Sequence, residues 1–365
     1  LRFGHRMPLK PAITRLTKLA ILNLPSPLLK RIVVARRLLS NPDEVENTIK
    51  LFSPSTACNK DAFGQLKRAI KADMLSQLIT PDEYFLYDFA EKSEPEKNAF
   101  VGDLERTVLC SRMYNSNPAG LVYMDKMATY RNFASFFKRE VIEIAGEGDF
   151  EAYCAFADKH ETYMIKPSGS SRGNGIRKES VGSKAEERRD AFRRILDSAP
   201  CVLEELIDQG NEMAALHPQS VNTIRYATFY DGDSISVICC FVKIGRGSSV
   251  VDNGGAGGFL AAVDEKTGKI LTPGRTELGE VIYMHPDTGV EIVGYQIPAW
   301  NELQSMVAEL VKVLPSQKYV GWDLAWSGTK GWVLVEGNSG GQFVGPQISK
   351  RQGVGAIIQS TFGRL

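Results

Sequence analysis

An aspartate, a glutamate and an asparagine stand on two apolar runs, Gly321-Trp322-Asp323-Leu324-Ala325 and Val333-Leu334-Val335-Glu336-Gly337-Asn338, joined through the polar stretch Ser327-Gly328-Thr329-Lys330-Gly331. The runs read as neighbouring strands of a hairpin. Strand side chains alternate faces, so Glu336 and Asn338 point the same way and the partner strand can bring Asp323 opposite them. Carboxylate and amide oxygens are hard donors suited to Mg²⁺, which keeps several waters and completes its shell with substrate phosphate oxygens. A hairpin whose acids are merely solvated is the competing reading for these residues alone.

A second anion-binding element lies upstream. The apolar run Tyr163-Met164-Ile165 delivers Lys166 into Pro167-Ser168-Gly169-Ser170-Ser171-Arg172-Gly173-Asn174-Gly175. Glycines such as Gly173 let backbone N–H groups approach phosphate oxygens, and Lys166 with the Ser168, Ser170 and Ser171 hydroxyls adds donors. No Gly-Lys-Ser/Thr opens a helix here, so this is neither a Walker A loop nor a dinucleotide fingerprint. A plain surface turn is the alternative. Next comes Cys201-Val202-Leu203-Glu204-Glu205-Leu206-Ile207, a strand running into paired acids, followed by Asp208-Gln209-Gly210-Asn211-Glu212. It resembles the hinge of a nucleotide pocket, in which backbone groups read the adenine edge and a later carboxylate, here Glu212, holds the ribose hydroxyls. Paired acids after a strand otherwise mark a solvated turn.

The elements that must position these groups follow from changes in periodicity. Residues 1–95 carry mostly helical signals, at Ile13 to Leu22, Leu28 to Leu39 and Ala62 to Ile79. From Asp88 to Pro118 the chain is polar and gives no clear element. Tyr123 to Ile144 predicts one helix with Met127, Tyr130, Phe133, Phe137 and Val141 as its apolar stripe. The stretch 147–208 predicts a strand, the Gly-rich loop, a charged helix Ser183 to Leu196 and another strand, a compact α+β lid. Beyond it, Ile224 to Tyr230, Ser234 to Ile244, Leu260 to Val263, Val281 to Tyr283, Tyr319 to Ala325 and Trp332 to Glu336 predict an antiparallel sheet covered by a helix at 299–314. Trp322, Trp326 and Trp332 are read as core, with stacking on a sugar ring as the alternative. His217 is read as a hydrogen-bonded structural residue rather than a base.

Composition narrows the function classes. The 365 residues hold 44 basic and 43 acidic side chains, so nothing draws the chain as a whole to nucleic acid or anionic membrane. The six cysteines show neither Cys-x-x-Cys spacing nor paired histidines, which argues against a zinc site or a disulfide framework and for reduced thiols in the cytoplasm. No apolar run reaches membrane-spanning length and no signal-peptide pattern stands out. Leu16 to Leu39 is basic and apolar. It reads as a helix docked on the body, with a peripheral membrane position as the alternative. The sequence opens on Leu1 rather than Met, as in a chain with a trimmed or tagged N-terminus. Four histidines and no Gly-x-Ser-x-Gly elbow give hydrolase readings little to stand on.

In chain order, Lys126, Lys166 with its Gly-rich loop, Glu204-Glu205, Arg225, Asp323 and Glu336-x-Asn338 resemble the ATP-grasp superfamily of carboxylate–amine ligases, over the last two-thirds of the chain. The segments His217-Pro218-Gln219-Ser220-Val221-Asn222-Thr223-Ile224-Arg225, Val251 to Gly258 and Gly321-Trp322-Asp323 resemble its sugar-transfer-associated branch, which family context links to surface-polysaccharide biosynthesis. The resemblance implies an α+β fold in which two α+β lobes clamp ATP, behind a helical N-terminal region. Its parts are then residues 1–95 as that region, 96–146 as a connecting part, 147–208 as the lid lobe and 209–365 as the lobe with the metal-binding sheet. It implies ATP held by Lys126, Lys166, Ser168, Ser170, Ser171, Gly173, Glu204, Glu205, Leu206, Ile207 and Glu212. It further implies Mg²⁺, with Mn²⁺ as a substitute, on Asp323, Glu336 and Asn338, and catalysis by Arg225, Lys166 and Asn222. Lys243, Arg246, Asp252 and Asn253, beside a glycine-dense stretch, are the candidate acceptor contacts.

The implied reaction is ADP-forming: a carboxylate is activated as an acyl phosphate and captured by an amine to give an amide. Substrates would be small carboxylates and amines, glycan-linked ones among them, for example an amino acid joined to a uronic acid or to another amino acid, in polysaccharide or secondary-metabolite biosynthesis. A homodimer is left open as an assembly, and nucleic acid is not expected as a partner. A kinase on the same fold and a non-catalytic nucleotide-binding partner are the alternatives.

Overall fold

The computed structural model describes residues 21–169, 175–182, 184–249, 252, 254 and 257–365. Ser170, Ser171, Gly173 and Asn253, and most of the expected helix Ile13 to Leu22, lie outside them. The chain divides into two compact units, residues 1–117 with 342–347 and 352–365, and residues 118–341 with 348–351.

The first unit is helical, as its periodicity predicts, with Ser26–Ser40, Glu44–Phe52 and Lys60–Gln77 as its longer early helices. The polar stretch after Asp88 also turns helical at Glu94–Lys97 and Asp103–Ser116. Its acids explain this: Ser93 and Glu96 form a capping box, and Asp103 and Glu105 sit in a first turn, where negative charge favours a helix. Buried Glu83 accepts from the backbone N–H groups of Thr80 (2.7 Å) and Asp103 (3.0 Å) and from the Tyr87 hydroxyl (2.8 Å). Burial pushes its carboxyl up to about 8, although the Asp103 N–H favours the ionised form. The C-terminal residues pack here too, with Arg364 on Glu105 at 2.8 Å.

The second unit carries two antiparallel sheets. The smaller has the order β1-β4-β2-β3, formed by β1 (Val141–Ile144), β2 (Thr162–Pro167), β3 (Arg177–Ser180) and β4 (Cys201–Glu205). Helices Phe150–Ala157 and Ala185–Leu196 cover it, burying Tyr153, Phe156, Phe192 and Ile195 against Tyr163, Ile165 and Leu203. One expectation fails here. The predicted helix Tyr123 to Ile144 ends at Phe137, Lys138 takes φ 49°, and Val141-Ile142-Glu143-Ile144 becomes β1, paired along β4. The isoleucines and valine of that run favour a strand, and the turn carries the Arg139 side chain into the interior. The smaller lobe therefore begins upstream of residue 147.

The larger sheet has the order β11-β10-β5-β6-β7-β8-β9. Its long strands are β5 (Thr223–Tyr230), β6 (Ile235–Ile244), β10 (Tyr319–Ser327) and β11 (Gly331–Asn338). The short ones are β7 (Phe259–Ala262), β8 (Gly274–Arg275) and β9 (Val281–Ile282). Helix Trp300–Val313 places Leu303, Met306, Val307, Leu310 and Val311 in a core with Ile224, Tyr226, Trp322, Leu324 and Leu334 of the sheet and Phe133 and Phe137 of helix Lys126–Phe137. Trp322 and Trp332 are wholly buried in it, and the Trp322 indole N–H donates to Thr228 at 3.1 Å, so neither is a sugar platform. No helix among the described residues is long and apolar enough to cross a membrane.

Candidate active site

Register brings the charged residues of the larger sheet together. Asp323 on β10 lies opposite Arg225 of β5 on one side and Glu336 of β11 on the other, so the three form one row on one face. Lys243, two residues beyond the Arg225 partner Phe241 on β6, and Asn338, two beyond Glu336, share that face. The opposite face belongs to the core, so apolar and charged residues alternate on β5 and β10, while on β11 a bulge between Leu334 and Glu336 turns Glu336 onto the charged face.

The row is tightly paired. Arg225 grips Asp323 through both guanidinium arms, Nε to Oδ1 at 2.5 Å and a terminal nitrogen to Oδ2 at 2.8 Å, and Lys243 Nζ reaches Oδ2 at 3.0 Å. The Arg225 chain crosses Gly321, where a Cβ would come within 3.1 Å of its Cδ, so glycine there leaves the guanidinium room to lie flat. Burial would raise the Asp323 carboxyl, but the charges of Arg225 and Lys243 more than offset it and hold it far below the carboxylate range. Burial also works against the charge of Arg225, and Asp323 outweighs it, raising its pKa further.

The metal expectation can be tested on this row. The Asn338 amide nitrogen donates to Asp323 Oδ2 at 3.3 Å and to Glu336 Oε1 at 3.1 Å, so a single N–H₂ group occupies the negative gap between two carboxylates. A divalent cation needs such a gap, and turning the amide presents its oxygen instead. Among the described residues no three His, Cys, Asp or Glu side chains gather into one cluster, and the side chain that joins Asp323 to Glu336 is the Asn338 amide. The donors fit Mg²⁺ in number and hardness.

A second charged knot lies at the smaller sheet. Glu204 is buried between Lys166, whose Nζ donates to Oε2 at 2.8 Å, and Arg139, whose Nε donates to the same oxygen at 3.0 Å. Burial raises its carboxyl, and the two cations overcome this, bringing it to about 2. Arg139 also donates to the Leu334 carbonyl of β11 at 2.6 Å, tying this knot to the strand that bears Glu336. Lys126 joins the two. Burial lowers its ammonium, Glu336 from one knot and Glu204 from the other support its charge, and Lys166 opposes it. Lys126 opens a helix that Asp125 caps by accepting from Met127 (2.9 Å) and Ala128 (3.2 Å), and the Lys126 N–H donates to the Ser168 carbonyl at 3.2 Å. The Ser168 hydroxyl donates to Asp125, so this serine is spent on anchoring the loop to the helix.

The remaining candidates separate. Glu205 accepts from the Glu140 N–H at 2.9 Å and pairs with Lys330 at 2.5 Å, while Leu206 and Ile207 continue past β4 half-buried. Glu212 is exposed and accepts from the Trp326 indole at 3.3 Å. Asn222 is fully buried, its amide donating to Gln209, Met213 and His217 and its carbonyl accepting from Gly245, so it pins the loop before β5. Buried Asp252 accepts from the Thr223 N–H at 2.9 Å, and burial raises its carboxyl against the pull of Lys243. Arg246 pairs with Glu280 at 2.9 Å. His217 meets Ser220 at 2.8 Å in the interior. Arg139 escaped the sequence reading. The one signal for it was the basic pair Lys138-Arg139 interrupting an apolar run.

The model of the sugar-transfer-associated ATP-grasp family matches residues 137–361, more than half of the chain. The chain belongs to that family. The fold is accordingly an ATP-grasp fold, its two α+β lobes built on the smaller and larger sheets. Among solved structures it resembles the ATP-grasp ligase PsnB complexed with a minimal precursor, at 14% identity and TM-score 0.42 over 70% of this chain and 69% of that one. It also resembles the D-alanine–D-alanine ligase of Coxiella burnetii (10%, TM-score 0.39, 64% and 55%) and the VanG D-Ala:D-Ser ligase of Enterococcus faecalis (13%, 0.40, 71% and 63%). No curated protein matches significantly.

Proposed function

We propose that the chain is an ATP-dependent ligase that activates a carboxylate as an acyl phosphate and joins it to an amine, forming an amide and ADP. What carries the reading is the meeting of two charged knots at Lys126, one with the Asp323, Glu336 and Asn338 oxygens and one with Lys166. A triphosphate needs this pairing: cations for its oxygens and carboxylates for its metal. Mg²⁺ on Asp323, Glu336 and Asn338, with Mn²⁺ as a substitute, would neutralise charge on the β- and γ-oxygens. Lys126 and Lys166 hold the phosphate chain, and Leu206 and Ile207 line the adenine edge. Arg225, fixed by Asp323, faces the group in transfer, and Lys243 and Asp252 receive the acceptor. An acyl phosphate hydrolyses readily, which gives the smaller lobe and its Gly-rich loop the task of excluding water. The carboxylate and amine are placed in the class of amino acids and uronic acids, free or glycan-linked, in polysaccharide or secondary-metabolite assembly.

The test is ADP release from the chain with Mg²⁺, ATP and a panel of amino acids and uronic acids, with and without hydroxylamine. Hydroxamate formation supports the acyl phosphate. ADP release without hydroxamate would make the chain a kinase, and nucleotide binding without turnover would make it a non-catalytic partner.

A further inference from the structure

We infer that helix Ser26–Ser40 is a docking surface for an anionic lipid bilayer. The helix, Ser-Pro-Leu-Leu-Lys-Arg-Ile-Val-Val-Ala-Arg-Arg-Leu-Leu-Ser, buries Leu29 and Val34 on its inner side. Leu29 packs with Leu22 and Val108, with Val33 and Leu24 beside it. The outer side is unusual for a protein surface. Leu28, Ile32, Ala35 and Leu39 recur at the spacing of one helix face, and Leu28 is 48% and Leu39 83% exposed, with Ala35 exposed and Ile32 half-buried. At 100° per residue, Arg31 and Arg36 flank this stripe on its two sides. Both are exposed, and no described residue pairs with them. Their neighbours Lys30 and Arg37 are committed inward, Lys30 to the Ser76 carbonyl at 3.1 Å and Arg37 to Glu44. An apolar stripe between cations is the pattern of a helix lying in the bilayer interface, leucines toward the acyl boundary and guanidinium groups among the phosphates.

Charge selects the occupant. Residues 1–42 contain nine Lys and Arg side chains and no Asp or Glu, the first acid being Asp43, although the whole chain is close to neutral. The basic charge is thus gathered at one end of the sequence, where it can act on a surface potential that the net charge would never reveal. A second copy of the chain fits poorly, because pairing this face with itself brings arginines against arginines with no acid on the helix to answer them. Nucleic acid fits poorly as well, because leucines occupy the centre of the face where phosphate contacts would fall.

The experiment is co-sedimentation of the full chain with mixed phosphatidylcholine–phosphatidylglycerol vesicles and with pure phosphatidylcholine vesicles, at low and high salt. The expected result is salt-sensitive binding to the anionic vesicles alone. Each cation near an anionic leaflet strengthens binding roughly five-fold, so the R31E/R36E double variant should bind about 25-fold more weakly or worse. L28S/L39S should weaken it independently of salt. All four side chains are surface groups outside the proposed site, so ATP binding should be unchanged and serves as the control for folding. Equal binding of R31E/R36E and wild type would overturn the inference, as would equal binding to both vesicle types. Light scattering that shows a dimer abolished by L28S/L39S would assign the face to a second copy, and retention by duplex DNA but not by vesicles would assign the cations to nucleic acid.

Discussion

Replacing Glu204 with glutamine tests the knot at the smaller sheet with a magnitude fixed beforehand. The substitution keeps shape and removes the charge, leaving Arg139 and Lys166 buried without their common partner. In the folded chain the carboxyl lies at about 2, against an ordinary value of 4.5. At 1.36 kcal/mol per pKa unit that difference corresponds to about 3 kcal/mol, within the range for breaking a buried ion pair from one side. Because the folded pKa is depressed, the stabilisation is complete above about 4.5 and is lost as pH falls toward 2. The stability gap between wild type and Glu204→Gln should therefore be about 3 kcal/mol near neutral pH and only about 1 kcal/mol at about pH 3. All four tryptophans lie between residues 300 and 332, in the unit that contains Glu204, so denaturant unfolding followed by their fluorescence reports on the right part of the chain. A gap below 1 kcal/mol at neutral pH, or one that stays constant as the pH drops, would refute the reasoning, because other acid-titrating groups are common to both proteins and cancel in the difference.

Glu336→Gln is expected to abolish ADP formation while leaving thermal stability near wild type, since Glu336 is half-buried and makes its described bond to an amide; turnover at saturating Mg²⁺ would remove it from the metal site. Asp323→Asn should abolish turnover as well and cost about 3 kcal/mol in stability besides, because Arg225 and Lys243 both lose their counter-charge. Lys166→Ala should weaken ATP affinity and rate together, as expected of a cation that meets the phosphates before and during transfer, and unchanged nucleotide affinity by calorimetry would place it elsewhere. Arg225→Lys keeps the charge but loses the fork on Asp323, so kcat should fall on the order of 10² or more at nearly normal ATP affinity; a normal kcat would assign Arg225 to the sheet alone.

How far the sequence discloses this protein differs between its two sheets. The larger sheet writes most of its register into the chain: Arg225 and Asp323 alternate with buried Ile224, Trp322 and Leu324, and the hairpin pairs Ser327 with Gly331 through to Leu324 with Leu334, after which a bulge in β11 brings Glu336 rather than Val335 opposite Asp323. Periodicity of two reads β5 and β10, whereas the bulge that sets Glu336 in the row has no signal in the alternation. The smaller sheet is less legible. β1 follows a helix after a break of three residues, Lys138 to Glu140, and Val141 continues the helical stripe by spacing. Nothing local says that Arg139 turns inward, because its partner Glu204 is far along the chain and the pairing is known only when β1 lies against β4. The same is true of the bond from the Ser168 hydroxyl to Asp125, which turns a predicted phosphate donor into a clamp between loop and helix. Motif order names the groups, whereas tertiary pairing decides which of them are already engaged.

That engagement bears on how the proposed site would work. Lys126 and Lys166 repel one another, and burial alone would favour the neutral form of Lys126. Glu204 bonds to Lys166, while Glu336 and Glu204 support the charge of Lys126, so both ammonium groups stay near one place without a ligand. A triphosphate entering between them would bring negative charge of its own and take over that role, and Glu204 would still answer Arg139. On the larger sheet the exchange runs the other way. Arg225 and Lys243 hold Asp323 ionised before any metal arrives, and a divalent cation in the gap beside Asn338 would compete with them for the same carboxylate. The two knots thus hold Asp323 and Glu204 as carboxylates, the charges on which the proposed metal and phosphate contacts rest.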